Sequence, residues 1–504
     1  MDGFRGEFII EDPDGYAYDY DEEVIMPVAD WFYKLLPELS TDFLNRYNPT
    51  GAEPIPQNVL MNNTRNVTWN VKPDTTYLMR IINEGGFVAQ YLYMDDHDFE
   101  VVAVDGIYVE KNVTSMIYIT PGQRVDALIH TKNQTDTNYA FMQAMDTEML
   151  DVIPDDLVLN GTNWIVYDQD ADLPEQYYVD TFDDYLNDFY LKPLSHTPLY
   201  EDPDHIITVT VIMDNLNDGI NYAFFDDKTF IAPVVPVLST VLTSGDMANE
   251  RKIYGTNTNV YILQPGEIVE IIVNNNDTGK HPFHLHGHTF QLIERGDTIP
   301  DEFLPQNYSP NDSYVPPEFP SIRDTFNMHG QSYMRLRFKA DNPGVWFFHC
   351  HVDWHLLQGL AIVFVEDPFA IQEFQSDLSD SWYDNCATGN VSTEGNAAGN
   401  MDFYDLTGEN VQVKNLPTGF TAKGYCALVF SCVAGVLGIA AIGIYGMADI
   451  PNIEQRVLLD LGGLESDSLL ENSEGEDEET GSSDSPVKRQ NTSNETSNDI
   501  EPKK

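Results

Sequence analysis

An internal repeat is the feature that most restricts how this chain can fold. The segment YLMRIIN, followed by YMDDHDFEVVAVDG, aligns without a gap with IVEIIVN followed by LHGHTFQLIERGD, so that Asn83 matches Asn274 and Phe99 matches Phe290. Further along the chain, PGQRVDALIHTKN matches HGQSYMRLRFKAD. Both copies consist of short alternating or apolar runs separated by Gly, Pro and Asn, a pattern typical of β-sandwiches. The repeat therefore predicts an all-β fold with two copies of one sandwich in tandem.

The repeat also gives the predicted domain limits. We expect the first sandwich at residues 15–165 and the second at 205–385, joined by an acidic linker over 166–204. A stalk over 386–424 follows the second sandwich and leads to an apolar run. The sequence is thus organised as two similar folded units followed by a C-terminal segment of different composition.

The apolar run is long enough to cross a membrane. Residues 424–448 contain no Asp, Glu, Lys or Arg, and we predict a transmembrane helix over 425–447, because about 20 apolar residues span a bilayer core. The tail over 448–504 is acidic and has no aromatic residue, which predicts disorder. Sequons before the helix predict a glycosylated extracellular part and a cytoplasmic tail. The nine sequons are Asn62, Asn66, Asn112, Asn133, Asn160, Asn276, Asn307, Asn311 and Asn390.

Charge and cysteine content exclude two classes of protein. The chain has 82 Asp and Glu against 26 Lys and Arg, a formal net charge of −56, and such a surface repels nucleic acid. It raises the local concentration of cations instead. Four cysteines are too few for a disulfide scaffold.

Histidines are concentrated in two short segments, HPFHLHGH and HCHVDWH, which hold seven of the 12. The apolar run GVWFF predicts a strand that leads into the second segment. Because successive side chains of a strand point to opposite faces, His349 and His351 share one face and Cys350 points to the other. A thiolate with two imidazoles is the ligand set of a blue copper site, and His281 with His355 can complete it around Cys350. Zinc fingers space their ligands differently.

Only the second copy of the repeat carries these histidines. His281, His284 and His286 match Gln90, Tyr93 and Asp95 of the first copy. The alternation of a strand makes His284 and His286 available to a second cluster. The second sandwich is therefore the predicted metal-binding one.

The two histidine segments resemble those of multicopper oxidases, whose last cupredoxin domain carries HPFHLHGH and HCHxxxHxxxGL. The resemblance implies four coppers per complete enzyme, with type 1 copper held by His281, Cys350 and His355. It implies His284 as the type 2 ligand and His286, His349 and His351 as type 3 ligands. His288 has no ligand role in the family pattern, and we expect it to be structural. The axial position is Leu360 in place of Met, so we expect a raised reduction potential.

Longer segments, among them YNPTGAEPIPQN, MLDVIP and the TEGNAA stretch, resemble the fungal plasma-membrane ferroxidases of high-affinity iron uptake. The resemblance implies oxidation of Fe(II), reduction of O2 to water, and an iron site at Glu53, Asp151 and Asp277, with a lesser contribution from Tyr222. Carboxylate oxygens stabilise Fe(III) more than Fe(II), which favours oxidation. Asp353, between two predicted ligands, is a candidate proton relay, and a surface or capping role is an equal alternative.

The chain departs from the family in its N-terminal part. A complete trinuclear cluster uses eight histidines, and this sequence supplies four of them. DGFRGEFIIEDP resembles the stretch that follows the missing pairs, so we expect residues 1–14 to be the last strand of an absent first cupredoxin domain. The start of the chain has no signal-peptide pattern, and we expect the full protein to extend further upstream.

Two other functions are open at this stage. One is a laccase that oxidises phenols, which calls for an apolar pocket near the type 1 site. The other is a catalytically incomplete membrane copper protein that accompanies a transporter. In the family the ferroxidase works with an iron permease, and Ala427, Ser431 and Gly435 place small residues at a spacing that permits close helix packing.

Overall fold

The computed structural model describes residues 2–133, 136–296, 305–311, 313–373 and 378–447. Within it the chain divides into two compact units, Met1–Pro417 and Thr418–Lys504. The predicted disordered tail lies outside the described residues.

The first unit contains two β-sandwiches, each built from a six-stranded and a five-stranded sheet. The sheets of the first sandwich have the orders β2-β1-β4-β9-β6-β7 and β3-β11-β10-β5-β8. Its strands are β1 (Glu22–Trp31), β2 (Asn58–Met61), β3 (Thr68–Asn70), β4 (Thr76–Asn83), β5 (Gln90–Met94), β6 (Phe99–Val104), β7 (Ile107–Thr114), β8 (Met116–Ile119), β9 (Arg124–His130), β10 (Tyr139–Met145) and β11 (Asn160–Val166).

The second sandwich repeats this topology strand for strand, with the orders β13-β12-β15-β20-β17-β18 and β14-β22-β21-β16-β19. Its strands are β12 (His205–Asn215), β13 (Asn221–Phe225), β14 (Val260–Leu263), β15 (Ile268–Asn275), β16 (His281–Leu285), β17 (Phe290–Arg295), β18 (Ile322–Arg323), β19 (Thr325–Met328), β20 (Tyr333–Lys339), β21 (Gly344–Cys350) and β22 (Ala361–Glu366). The prediction of an all-β fold with two tandem sandwiches is confirmed.

The described helices of the first unit are short; three lie between strands, and two follow the last strand. They are α1 (Leu36–Phe43), α2 (Val237–Thr243), α3 (Asp353–Leu357), α4 (Pro368–Glu373) and α5 (Asp380–Thr388). The described residues also form four 3-10 helices, at Thr147–Met149, Asp188–Tyr190, Gly245–Asn249 and Arg251–Tyr254. Of these elements, α3 matters most for function because it directly follows β21.

One apolar cluster extends across both sandwiches. It contains Phe87 and Met149 from the first and Phe283, Phe348 and Trp354 from the second, all buried. Full burial of each such side chain contributes roughly 1.5–3 kcal/mol. The two sandwiches therefore share a core, which fixes the loops of the first against the histidine segments of the second.

Charged groups also join the sandwiches. The guanidinium of Arg323 is buried and donates to Asp105 at 2.7 Å and to Asp188. Arg124 donates to both carboxylate oxygens of Asp324, at 2.7 and 2.6 Å. Bidentate pairs of this kind fix orientation as well as distance.

Residues 1–14 are predicted as the last strand of a cupredoxin domain other than these two sandwiches, and their described part, 2–14, pairs with no strand here. The sheets of the two sandwiches do not test that prediction. Side chains hold the segment in place: Arg5 lies 3.3 Å from Glu84 and its guanidinium covers the ring of Trp31.

The second unit contains α6 (Ala422–Met447). This is the one helix among the described residues that is long and apolar enough to cross a membrane. It begins three residues before the predicted start, because the hydroxyl of Thr421 accepts the N–H of Gly424 at 3.1 Å and caps the first turn.

Candidate metal centre

Three elements of the second sandwich bring His281, Cys350 and His355 together. His281 begins β16, Cys350 ends β21, and His355 lies on α3 one turn beyond it. The Nδ1 atoms of the two histidines lie 3.6 and 3.3 Å from the sulfur of Cys350 and 3.0 Å from each other. All three side chains are buried, and their ligand atoms lie within 4.8 Å of one another.

The surroundings of Cys350 favour its thiolate form. Burial alone would raise its pKa, but His355 and His281 lower it below the usual value. A thiolate with two imidazole nitrogens is the donor set of blue copper sites. The three residues therefore fit copper by donor chemistry and by separation.

A second cluster consists of four histidines from the same strands. The ring centroid of His284 lies 4.8 Å from that of His286, 5.8 Å from that of His349 and 5.7 Å from that of His351. The Nε2 atoms of His286 and His349 are 3.1 Å apart. As the alternation predicts, His349 and His351 lie on this side of β21 and Cys350 on the other, so one tripeptide joins the two clusters.

The four imidazoles are suited to hold metal. Burial and the neighbouring imidazoles lower the pKa of His349 to about 3 and that of His351 to about 4, which keeps both rings neutral. The buried Nδ1 of His351 has no hydrogen-bond partner. Nδ1 of His284 lies 2.9 Å from the carbonyl of Asp324, which leaves its Nε2 for a ligand.

The first sandwich packs directly on this cluster at Gly122. This residue has a φ of +82°, and a Cβ built on it would lie 2.5 Å from the ring of His351. A side chain at this position would displace the imidazole, so the close approach requires glycine.

A cavity of about 440 Å³ lies beside His355. Glu53, Asp151, Asp277 and His355 are among its lining residues, and we call it the carboxylate cavity. Oε1 of Glu53 lies 3.0 Å from Nε2 of His355, and Oδ2 of Asp277 lies 3.1 Å from Nε2 of His281. Each imidazole thus faces Cys350 with one nitrogen and a cavity carboxylate with the other.

The charges of the cavity act on one another. Burial would raise the pKa of Asp277, but contact with His281 holds it well below its usual range. Asp151 has no such partner, and burial together with the charges of Glu53 and Asp277 raises its pKa. A cation in the cavity would relieve this repulsion.

Tyr222 differs from the other predicted iron-site residues, because it is absent from the lining of the carboxylate cavity. Its hydroxyl donates to Asp218 at 3.0 Å. Since side chains alternate along β13, the neighbouring Asn221 reaches the cavity and Tyr222 points elsewhere.

Of the other predicted residues, one is buried and two are half-buried. Leu360 is buried, and its carbonyl accepts the N–H of Cys350 at 3.2 Å. Asp353 opens α3 without capping it, and burial together with the charge of Asp30 raises its pKa to about 7. His288 lies 2.6 Å from the buried carboxylate of Glu366, a contact that suits the structural role expected for it.

The sequence interpretation missed two charged residues of the carboxylate cavity, Lys280 and Glu148. Lys280 directly precedes His281, and Glu148 stands three residues before Asp151. Proximity to predicted ligands along the chain was the available signal. The five isolated histidines are distributed over other parts of the structure: His97, His130, His196, His205 and His329.

Comparison with known proteins decides the family. The multicopper oxidase family models match residues 22–171 and 230–370. The chain is 56% identical over 464 residues to the iron transport multicopper oxidase FET3 of Saccharomyces cerevisiae, covering 91% of this chain and 73% of that protein. This chain belongs to the multicopper oxidase family. A FET3 protein of Candida albicans is 57% identical over 461 residues, covering 91% of this chain and 74% of the relative.

Solved structures of multicopper oxidases have the same fold. The crystal structure of Fet3p, described as a multicopper oxidase that functions in iron import, superimposes with a TM-score of 0.78 at 54% identity, covering 80% of this chain and 77% of the other. A laccase from Botrytis aclada gives 0.60 at 23% identity, covering 76% and 71%. The cofactor of this multicopper oxidase is copper, and the two histidine clusters are the residues that fit it.

Proposed function

We propose that this multicopper oxidase is a ferroxidase of iron uptake, which oxidises Fe(II) to Fe(III) and reduces O2 to water. One observation carries the proposal: Glu53 and Asp277 contact the outer nitrogens of the two imidazoles that face Cys350. A cation held by these carboxylates would lie next to the predicted type 1 ligands.

The cavity carboxylates would bind and activate the iron. Hard oxygen ligands suit iron ions and stabilise Fe(III) more than Fe(II), so they make the bound ion easier to oxidise. Burial and the charges of Glu53 and Asp277 raise the pKa of Asp151, so a bound cation would also favour its ionised form. Relatives with a similar sequence carry the name iron transport multicopper oxidase.

We assign His281, Cys350 and His355 as type 1 ligands, His284 as the type 2 ligand, and His286, His349 and His351 as type 3 ligands. Copper at these positions supplies one-electron redox chemistry between Fe(II) and O2. Lowered pKa values keep His286, His349 and His351 neutral, and Asp353 is the nearby group that can exchange a proton.

Asp353 is the proposed proton donor near the histidine cluster. With a pKa raised to about 7 by burial and by Asp30, its carboxyl can both hold and release a proton at neutral pH. It follows His351 by two residues in the chain, which keeps it close to the groups that need the proton.

We further propose a plasma-membrane location, with α6 as a single span and the sandwiches outside the cell. Eight of the nine predicted sequons have exposed asparagines, and Asn160 is half-buried. An iron permease in the same membrane is the proposed partner, with Ser431 and Gly435 in the contact. Changing both to Leu should abolish co-purification with the permease, and unchanged association would exclude this contact.

The test of the iron assignment compares two electron donors, Fe(II) and hydroquinone, under the same conditions. Asp277→Asn removes the charge beside His281 while preserving the shape of the side chain. We expect kcat/KM for Fe(II) to fall by about tenfold or more, since a charged hydrogen-bond partner contributes roughly 1.5–3 kcal/mol. Oxidation of hydroquinone should be unchanged or faster.

A preference for hydroquinone in the unaltered protein, retained after Asp277→Asn, would instead identify a laccase. Asp341→Asn is the matched control, because this carboxylate is exposed and lies 4.0 Å from the ammonium of Lys339. It should leave both donors unaffected.

A further inference from the structure

Lys280 places a positive charge in a cavity whose other lining Asp and Glu side chains are negatively charged. Four carboxylates line the carboxylate cavity, from Glu53, Glu148, Asp151 and Asp277, and Lys280 is the one Lys or Arg among its lining residues. An ammonium group there opposes the binding of any cation. Because Lys280 lines the same cavity as Asp277 and His355, its charge opposes the proposed iron ion within that cavity.

The ammonium group of Lys280 is held in place by a built set of contacts. It lies 2.6 Å from Oδ2 of the buried Asp146 and 2.7 Å from Oε2 of Glu148. Tyr118 donates to the same oxygen of Asp146 at 2.7 Å, and its ring lies beneath the ammonium at 5.3 Å. The side chain of Lys280 is only 10% exposed, so solvent screens its charge little.

The contact with Lys280 determines whether the carboxylate of Glu148 is free to bind a cation. Its side chain is 75% exposed and lines the carboxylate cavity, so without a partner it could turn to bind a cation there. The ion pair with Lys280 occupies its carboxylate instead. The Oδ1 atom of Asp146 accepts the N–H of Glu148 at 3.0 Å and fixes the backbone from which this side chain extends.

We propose that Lys280 is a specificity-determining residue that limits the cation affinity of the carboxylate cavity by neutralising Glu148. The inference rests on the proposed function, because it assumes that iron binds in this cavity. Its consequence is kinetic: Fe(III) has a higher charge than Fe(II), and a fourth free carboxylate would retain the product more strongly than the substrate. Lys280 therefore speeds release of the product at the expense of binding of the substrate.

Mn²⁺ is a suitable probe, because it prefers oxygen ligands and is detected in free form by its EPR signal. We would titrate Mn²⁺ under argon, at 0.15 M salt, into the copper-loaded full chain and into variants. Lys280→Met should bind Mn²⁺ about tenfold more tightly than the unaltered protein, while Lys280→Arg should bind with unchanged affinity. In Lys280→Met/Glu148→Gln, the affinity should return most of the way to the starting value.

Steady-state kinetics with Fe(II) provide a second readout. Lys280→Met should lower KM and kcat together, because both ions are held more strongly, whereas a purely structural defect would lower kcat without tightening Mn²⁺ binding. The absorption of the type 1 centre reports whether each variant is folded. If Lys280→Met does not fold, Lys280→Gln retains a donor to Asp146 and should shift the affinity in the same direction.

Glu53→Gln and Asp277→Asn separate the two proposals. If they weaken Mn²⁺ binding but Lys280→Met leaves the affinity unchanged or lower, the role of Lys280 is wrong and the iron site stands. If neither carboxylate variant weakens Mn²⁺ binding, the cavity is not the cation site, and both proposals fall.

Discussion

The two sandwiches share one topology but carry different side chains at equivalent positions. In the second, Cys350 lies opposite Phe283 in the β16–β21 ladder, and its sulfur faces His281. In the first, Gln143 stands at the position of Cys350 and Gln90 at that of His281. The amide of Gln143 donates to the side-chain carbonyl of Gln90. One fold thus holds either a cysteine between two imidazoles or a neutral hydrogen bond, and the side chains alone decide which.

The sandwich without ligands still contributes to the function of the other. Glu53 and Asp151 belong to its loops, and both line the cavity beside His355. Its Gly122 packs on His351, and its Asp146 holds Lys280. The first sandwich therefore supplies carboxylates to the cavity and a closely packed surface beside the histidines of the second.

The largest effect should come from removing the thiol. Cys350→Ser should abolish the blue absorption completely and lower the copper content, because no other thiolate lies near His281 and His355 in the described part of the chain. Visible spectroscopy and copper analysis check this. Gln143→Met, at the equivalent position of the first sandwich, should leave the copper content and the spectrum unchanged. A blue band retained by Cys350→Ser would contradict the assignment.

A smaller effect, on the oxidation of Fe(II), is expected from Glu53, the carboxylate of the first sandwich that contacts His355. Glu53→Gln keeps the size of the side chain and removes the charge beside His355, so kcat/KM for Fe(II) should fall by about tenfold. Asp151→Asn should cost less, because Asp151 contacts neither imidazole. If the two variants were equally impaired, the direct contact with the ligand histidine would have no special role. Oxygen uptake with Fe(II) measures the difference.

The ion pair between Arg124 and Asp324, which joins the two sandwiches, should make the free energy of unfolding depend on pH. Burial would raise the pKa of Asp324, but Arg124 and His284 hold it well below its usual range. Because its pKa is depressed in the folded state, its contribution is fully present above about pH 4, the unfolded value, and is lost as the pH falls further. Asp324→Asn should lower the free energy of unfolding at neutral pH by roughly 2 kcal/mol and flatten this acid dependence.

Urea unfolding at several pH values measures both quantities. Asp341→Asn, at an exposed position, should change the free energy of unfolding by less than about 0.5 kcal/mol. An acid dependence that is identical in Asp324→Asn and in the unaltered protein would show that other carboxylates control it.

The smallest structural change is expected at Leu360. Leu360→Met conserves volume and should alter the free energy of unfolding by less than about 1.5 kcal/mol. A thioether near the type 1 position should lower the reduction potential, which a redox titration of the blue absorption measures. A potential that does not change would mean that the side chain at this position does not reach the copper.

Local sequence patterns predicted most of the strands and the residues of the two histidine clusters. Strand alternation correctly separated Cys350 from His349 and His351, because the period of two holds in any strand. The same rule was available for Tyr222 but had no reference point, since nothing in the sequence shows which face of β13 meets the cavity. The strand predicted over residues 1–14 stays a prediction, because it was assigned to a cupredoxin domain other than these two sandwiches, whose sheets do not test it.

The sequence by itself determined the all-β repeat and the set of histidine and cysteine side chains proposed to bind copper, since both are carried by short-range periodicity and by two compact motifs. The tertiary structure decided what surrounds those side chains. Glu53 and His355 are 302 residues apart in the chain, and Lys280 meets Asp146 across 134 residues. Such pairs form only when two sandwiches pack on a shared core, and no local pattern records that contact.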